Sequence, residues 1–68
     1  MNIRELRLAC ELSQKRAGLL FNISEELVSL YERGKIGKRV DALARRSEYE
    51  KRLRKHAALR GIDTGEGR

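Results

Sequence analysis

Ile3, Leu6 and Cys10 are apolar at three- and four-residue spacing, with the charged Arg4, Glu5 and Glu11 set off that stripe. Such a period predicts a first helix over about residues 3–11 with one buried face. Leu8 falls off the stripe, and Leu12 is placed to plug the following loop. A second helix is predicted over about 14–21, burying Ala17, Leu20 and Phe21. A third is predicted over about 25–33, burying Val28 and Tyr31, with Ile23 anchoring the turn between them. Leu27 and Leu30 cannot both share the Val28/Tyr31 face, so at least one is expected in solvent. A fourth helix starts near Lys38 and extends as far as Ala58, with Val40, Leu43, Ala44 and Ser47 as its core-facing stripe. Beyond Ser47 the apolar positions thin to Tyr49, Leu53 and Ala57, whose four-residue recurrence suits pairing with a second copy of the chain.

The ends of these helices are marked by residue chemistry. Asn2, Ser13 and Ser24 each stand where a side-chain oxygen can accept from orphan backbone N–H groups of a first turn. Asn22 stands where the second helix should stop, and Gly34 where the third should, both residues that tolerate left-handed backbone. From Ser13 to Gly34 the outline is therefore helix, short turn, helix. Gly18 is anomalous inside a helix, where Gly costs about 1 kcal/mol relative to Ala. The compensation expected is a close crossing of the second and third helices.

Composition narrows the class. A chain of 68 residues with no Trp, no Pro and 38% charged side chains is one small all-α domain rich in helix formers. Its core is too small for a deep enzymatic cleft. It has no Ser/His/Asp, Cys/His, metal-ligand or phosphate-loop spacing, and its single histidine, His56, lies in the basic helix as a surface residue. No catalytic residue, cofactor, metal or small-molecule ligand is expected. Cys10, the lone cysteine, reads as a small stripe residue rather than a reactive thiol, and fits a reducing cytoplasm. No apolar run approaches the ~20 residues of a membrane span, and the N-terminal stretch MNIRELR lacks a signal-like apolar segment.

The net charge of +6 is unevenly placed. Residues 1–37 nearly balance, whereas residues 38–60 hold nine Lys and Arg against Asp41, Glu48 and Glu50. A basic segment beside a compact helical unit points to a polyanion, most simply nucleic acid, although a solvated helix has the same composition.

The motifs IRELR, LSQ and LYERG, at this spacing, resemble the helix-turn-helix domain of the phage repressor and Cro family, also called the XRE type. The resemblance covers about residues 3–44. It implies a lambda-repressor-like bundle of four or five helices over residues 1–44, to which composition adds a basic helical extension over 45–60 and a flexible tail over 61–68. It further implies a dimeric, DNA-binding transcriptional regulator, a repressor or autorepressor, whose third helix enters the major groove, and the small size suggests a phage or mobile-element origin. On that pattern Ser24, Glu25, Glu26, Ser29 and Leu30 face the bases. Gln14, Lys15, Arg16, Arg33, Lys35, Lys38 and Arg39 hold phosphates, and Arg7 pairs with Glu32 inside the fold. The sequence departs from the family at Ala17, where a leucine is usual, at Asn22, where a turn glycine is usual, and on the recognition face. Two carboxylates there can accept from the cytosine amino group, Ser29 can bond either edge, and Leu30 can touch a thymine methyl.

Two other classes share these features. In one, Leu19, Leu27 and Leu30 form an exposed apolar patch and Glu25 and Glu26 meet a basic protein partner, as in an anti-repressor or adaptor. In the other, the helix over 45–60 binds nucleic-acid phosphates without sequence preference.

Overall fold

A computed structural model of the chain describes residues 2–34 and 40–62, and they form four helices with no strand among them. Helix α1 spans Ile3–Ala9, α2 Gln14–Phe21, α3 Glu25–Arg33 and α4 Val40–Leu59. No described helix is long and apolar enough to cross a membrane.

The helix starts follow from their caps. The Asn2 side chain accepts from the Glu5 N–H at 2.8 Å while the Glu5 carboxylate accepts from the Asn2 N–H at 3.1 Å, a reciprocal capping box. The Ser13 hydroxyl accepts from Arg16 N–H at 3.0 Å and that of Ser24 from Leu27 N–H at 3.1 Å.

Three of the helix ends use one device. Glu11, Asn22 and Gly61 have φ of 59°, 59° and 76° respectively, and each turns the chain out of its helix through left-handed backbone. An apolar residue follows each one: Leu12, Ile23 and Ile62 donate their N–H groups to the carbonyls of Arg7, Gly18 and Ala57 at 3.1, 2.9 and 2.9 Å. All three side chains fold back against the core. Gly61 and Ile62 therefore belong to the packed domain, in contrast to the expected flexible tail from residue 61. Residues 63–68 of that segment lie outside the described residues.

The core joins Ile3, Leu6 and Cys10 of α1 to Ala17 of α2, Val28 and Tyr31 of α3, and Tyr49, Leu53 and Ala57 of α4. Two expectations fail here. Leu20 is 51% exposed rather than buried, because α2 turns Ala17 and Gly18 inward and leaves Leu20 on its flank. On α4, Leu43 is 48% exposed and Ala44 and Ser47 are also in solvent, whereas Tyr49, Leu53 and Ala57 are at most 3% exposed. The residues expected to pair two copies are thus the contribution of α4 to its own core. A helix of 20 residues is about 30 Å long, and α1, α2 and α3 have only seven to nine residues each. They cover one stretch of α4, and the stripe with the larger side chains wins it.

Gly18 explains how α2 and α3 approach. A Cβ placed there would lie 2.7 Å from the Ile23 carbonyl oxygen and 3.3 Å from the Glu25 nitrogen, both backbone atoms. Gly18→Ala should therefore destabilise the fold by roughly 1–2 kcal/mol despite the better helix propensity of Ala, since overpacking typically costs 1–3 kcal/mol and propensity returns about 1. Urea denaturation checks this; a stabilised variant would mean that the turn yields freely.

Candidate nucleic-acid interface

The α2–α3 pair is held in place by a buried polar network. The Arg7 guanidinium donates from Nη1 to the Leu12 carbonyl at 2.7 Å and from Nη2 to Glu32 Oε1 at 3.1 Å, and its Nε donates to Glu32 Oε2. The side chains of Arg7 and Glu32 are only 8% and 4% exposed. Gln14, the first residue of α2, donates from Nε2 to the same Glu32 Oε1 at 3.3 Å. One carboxylate of α3 thus ties α1 and the start of α2 to the same point. The hydrogen bond that Arg7 donates to Glu32 raises its pKa above the usual value against the opposing effect of burial, which keeps the guanidinium charged.

With Val28 and Tyr31 turned inward, helical spacing turns Glu26, Ser29, Leu30 and Arg33 outward. These four residues, with Gln14 and Glu25, line an open hollow of about 430 Å³. Five residues assigned to DNA contact on α3 meet there, together with the glutamine. Ser24 does not join them: its hydroxyl caps α3, and it borders a separate hollow facing α4. Lys15 and Arg16 are exposed on the first turn of α2, but Arg16 lines a third hollow with Leu12, Leu19, Leu20 and His56. Lys35, Lys38 and Arg39 lie outside the described residues. The three leucines expected to form one apolar patch divide among these hollows: Leu19 lines the third, Leu27 the one facing α4, and Leu30 the outer one.

The basic helix is more internally engaged than its composition suggests. Arg46 donates from Nε to the Tyr31 carbonyl at 3.2 Å, a last-turn acceptor of α3 that also takes the Gly34 N–H at 3.3 Å, and lies 3.9 Å from Glu50. Arg54 pairs with Glu50 at 2.9 Å and Arg52 with Glu48 at 3.3 Å. Arg60 reaches back to the Cys10 carbonyl and lies 3.5 Å from Glu11, tying the end of α4 to the end of α1. The Glu48/Arg52 and Glu50/Arg54 spacing of four residues foreshadows the pairs within α4. Nothing local foreshadows the contacts of Arg46 and Arg60 with carbonyls 15 and 50 residues away. Lys51 and Lys55, exposed on the side of α4 away from Leu53, are left for an external anion.

His56 is half-buried rather than a free surface residue, its ring set edge-on to Phe21 at 6.1 Å between centroids. Phe21 in turn meets Tyr49 edge-on at 5.6 Å. Burial pushes the Tyr49 hydroxyl up to about 12, with the nearby Glu32 carboxylate acting in the same direction. Burial likewise raises the Cys10 thiol, which keeps it protonated and unreactive.

Comparison of the chain with family models, curated proteins and solved structures finds no match in any of the three.

Proposed function

We propose that this protein is a sequence-specific DNA-binding transcriptional regulator of the lambda-repressor-like helix-turn-helix type, acting in the cytoplasm as a repressor or autorepressor, of phage or mobile-element origin. The observation that carries this reading is the convergence of Gln14 with Glu25, Glu26, Ser29, Leu30 and Arg33 on one outward face, braced from behind by the Arg7–Glu32 pair. Helix α3 enters the major groove, its nine residues and diameter suited to that width. Gln14, Lys15, Arg16, Arg33, Lys35, Lys38 and Arg39 take the phosphates. Glu25 and Glu26 accept from cytosine amino groups, and Leu30 meets a thymine methyl. The chain acts as a homodimer on a twofold operator, through a surface other than the Tyr49/Leu53/Ala57 stripe, which is buried within the fold.

The test is binding to DNA from upstream of the protein's own gene against scrambled DNA of equal length, across a salt series. Each phosphate contact contributes about −0.9 to the slope of log K against log salt, so five to seven contacts per chain give roughly −9 to −13 for the dimer. A clear preference for the upstream DNA is expected, together with weaker binding by Gln14→Ala and by Lys38→Ala. Equal affinity for both DNAs overturns base reading in favour of phosphate binding by the basic helix.

A second reading draws on the charge of the outer face, where Glu25 and Glu26 are exposed against the single cation of Arg33. Such a face suits a basic protein partner, as in an anti-repressor or adaptor. Binding to neither DNA favours it.

A further inference from the structure

The hollow on the other side of the α2–α3 turn differs in chemistry from the outer one. It is an open hollow of about 430 Å³ between the turn and α4, within the 300–1,000 Å³ range of small-molecule sites. Its floor is apolar and aromatic, made by Phe21, Ile23, Leu27, Tyr31 and Tyr49. The Tyr49 ring is held between Phe21, edge-on at 5.6 Å, and Tyr31, tilted at 5.7 Å, so the floor is rigid. Its mouth carries Arg45 and Arg52 together with the Glu48 carboxylate. Arg52 shares Glu48 at 3.3 Å, with both side chains more than half exposed. Arg45 is exposed and has no carboxylate partner among the described residues, alone among the arginines of α4. An aromatic floor under an uncommitted guanidinium is complementary to a flat ring carrying one negative charge. The ring would meet the half-buried Phe21 and Leu27, backed by the buried Tyr31 and Tyr49, and the fork of Arg45 offers two parallel N–H donors to a carboxylate.

We propose that this hollow binds a small aromatic carboxylate, with the ring over Leu27 and the Phe21/Tyr49 pair and the acid on Arg45. Such a ligand touches the turn and the inner flank of α3 at once. Its occupancy therefore biases how α3 is presented to DNA, and the protein is a regulator with a small-molecule effector. The binding stands by itself; the effect on DNA rests on the function proposed above.

The probe is 3-phenylpropionate, titrated into uniformly labelled protein and followed by amide chemical shifts. Saturable shifts confined to Ile23, Leu27, Tyr31 and their neighbours are expected, with a Kd of about 1 mM, as suits a fragment of roughly eleven heavy atoms. The uncharged 3-phenylpropan-1-ol should bind at least about fivefold more weakly, and Arg45→Ala should weaken the acid about fivefold while leaving the alcohol unchanged. Arg45 is exposed, so the variant keeps its fold, and its amide spectrum verifies this. Shifts that do not saturate, equal affinity for acid and alcohol, or indifference to Arg45→Ala each overturn the site. The same acid at saturation should change affinity for the upstream DNA. If the acid binds as described while the chain binds no DNA, the hollow stands and the DNA reading falls.

Discussion

Arg7→Ala should remove about 3–5 kcal/mol of folding stability, the cost of stranding a buried charge. A domain of this size has only roughly 3–10 kcal/mol in total, so the variant should be largely unfolded at 37 °C. Three losses combine. Glu32, whose side chain is 4% exposed, is left with the Gln14 amide as its hydrogen-bond donor. The Leu12 carbonyl loses a donor at 2.7 Å. The link from α1 to α3 is cut at a point where no other polar contact among those described replaces it. Burial decides the magnitude: the exposed Arg52–Glu48 pair of α4, with side chains 56% and 58% exposed, should be worth no more than about 0.5 kcal/mol when deleted. Urea denaturation of Arg7→Ala, Glu32→Ala and the double variant Arg7→Met with Glu32→Leu measures the coupling. The double variant should recover most of the loss, because it removes both charges together. A single-variant cost below about 1 kcal/mol would show the pair to be solvated, like a surface bridge.

Leu53→Ala should cost about 2–5 kcal/mol and lower the Tm by roughly 10 °C or more. Leu53 is fully buried between Tyr49 and Ala57 on the inner stripe of α4, and truncating it leaves a cavity that helices already in contact cannot close. The measurement separates two roles for this stripe. As part of the core, its truncation lowers Tm by the same amount at every protein concentration. As an interface between copies, it would leave the isolated chain's stability nearly intact and make the loss depend on concentration. A concentration-dependent effect is the result that sinks the core assignment.

Those two variants mark how unevenly the fold can be read from the residues. The Arg7–Glu32 pair is legible only through resemblance, since 25 residues separate the partners and no periodicity links them. The helices and their starts are legible directly. Asn2, Ser13 and Ser24 cap helices whose first turns lie within three residues of them, so every partner is local. The left-handed stop at Asn22 is equally local, but the one at Glu11 is not announced by residue type, because a glutamate there departs from the usual Gly or Asn. Of the outward face, Glu26, Ser29, Leu30 and Arg33 follow from helical spacing once Val28 and Tyr31 are known to be inside, whereas Gln14 and Glu25 are reached only through the resemblance. Ser24, grouped with them through the resemblance, caps α3 with its hydroxyl and borders the separate hollow facing α4.

What the sequence by itself determined is therefore the set of short-range choices: four helices, three N-terminal caps, the left-handed exits at Asn22 and at Gly34 (φ 70°), and the inner face of α1 and α3. Each depends on hydrogen bonds or spacings within about one turn, so the deciding residues stand next to one another in the chain. Only the tertiary structure decided which stripe of α4 is buried, that Leu20 stays outside, and that arginines of the basic helix serve internal carbonyls and carboxylates before any external anion. Burial is a competition among surfaces for a limited area of partner. Its winner depends on the length, direction and side-chain volume of helices far apart in the chain, which no local pattern records.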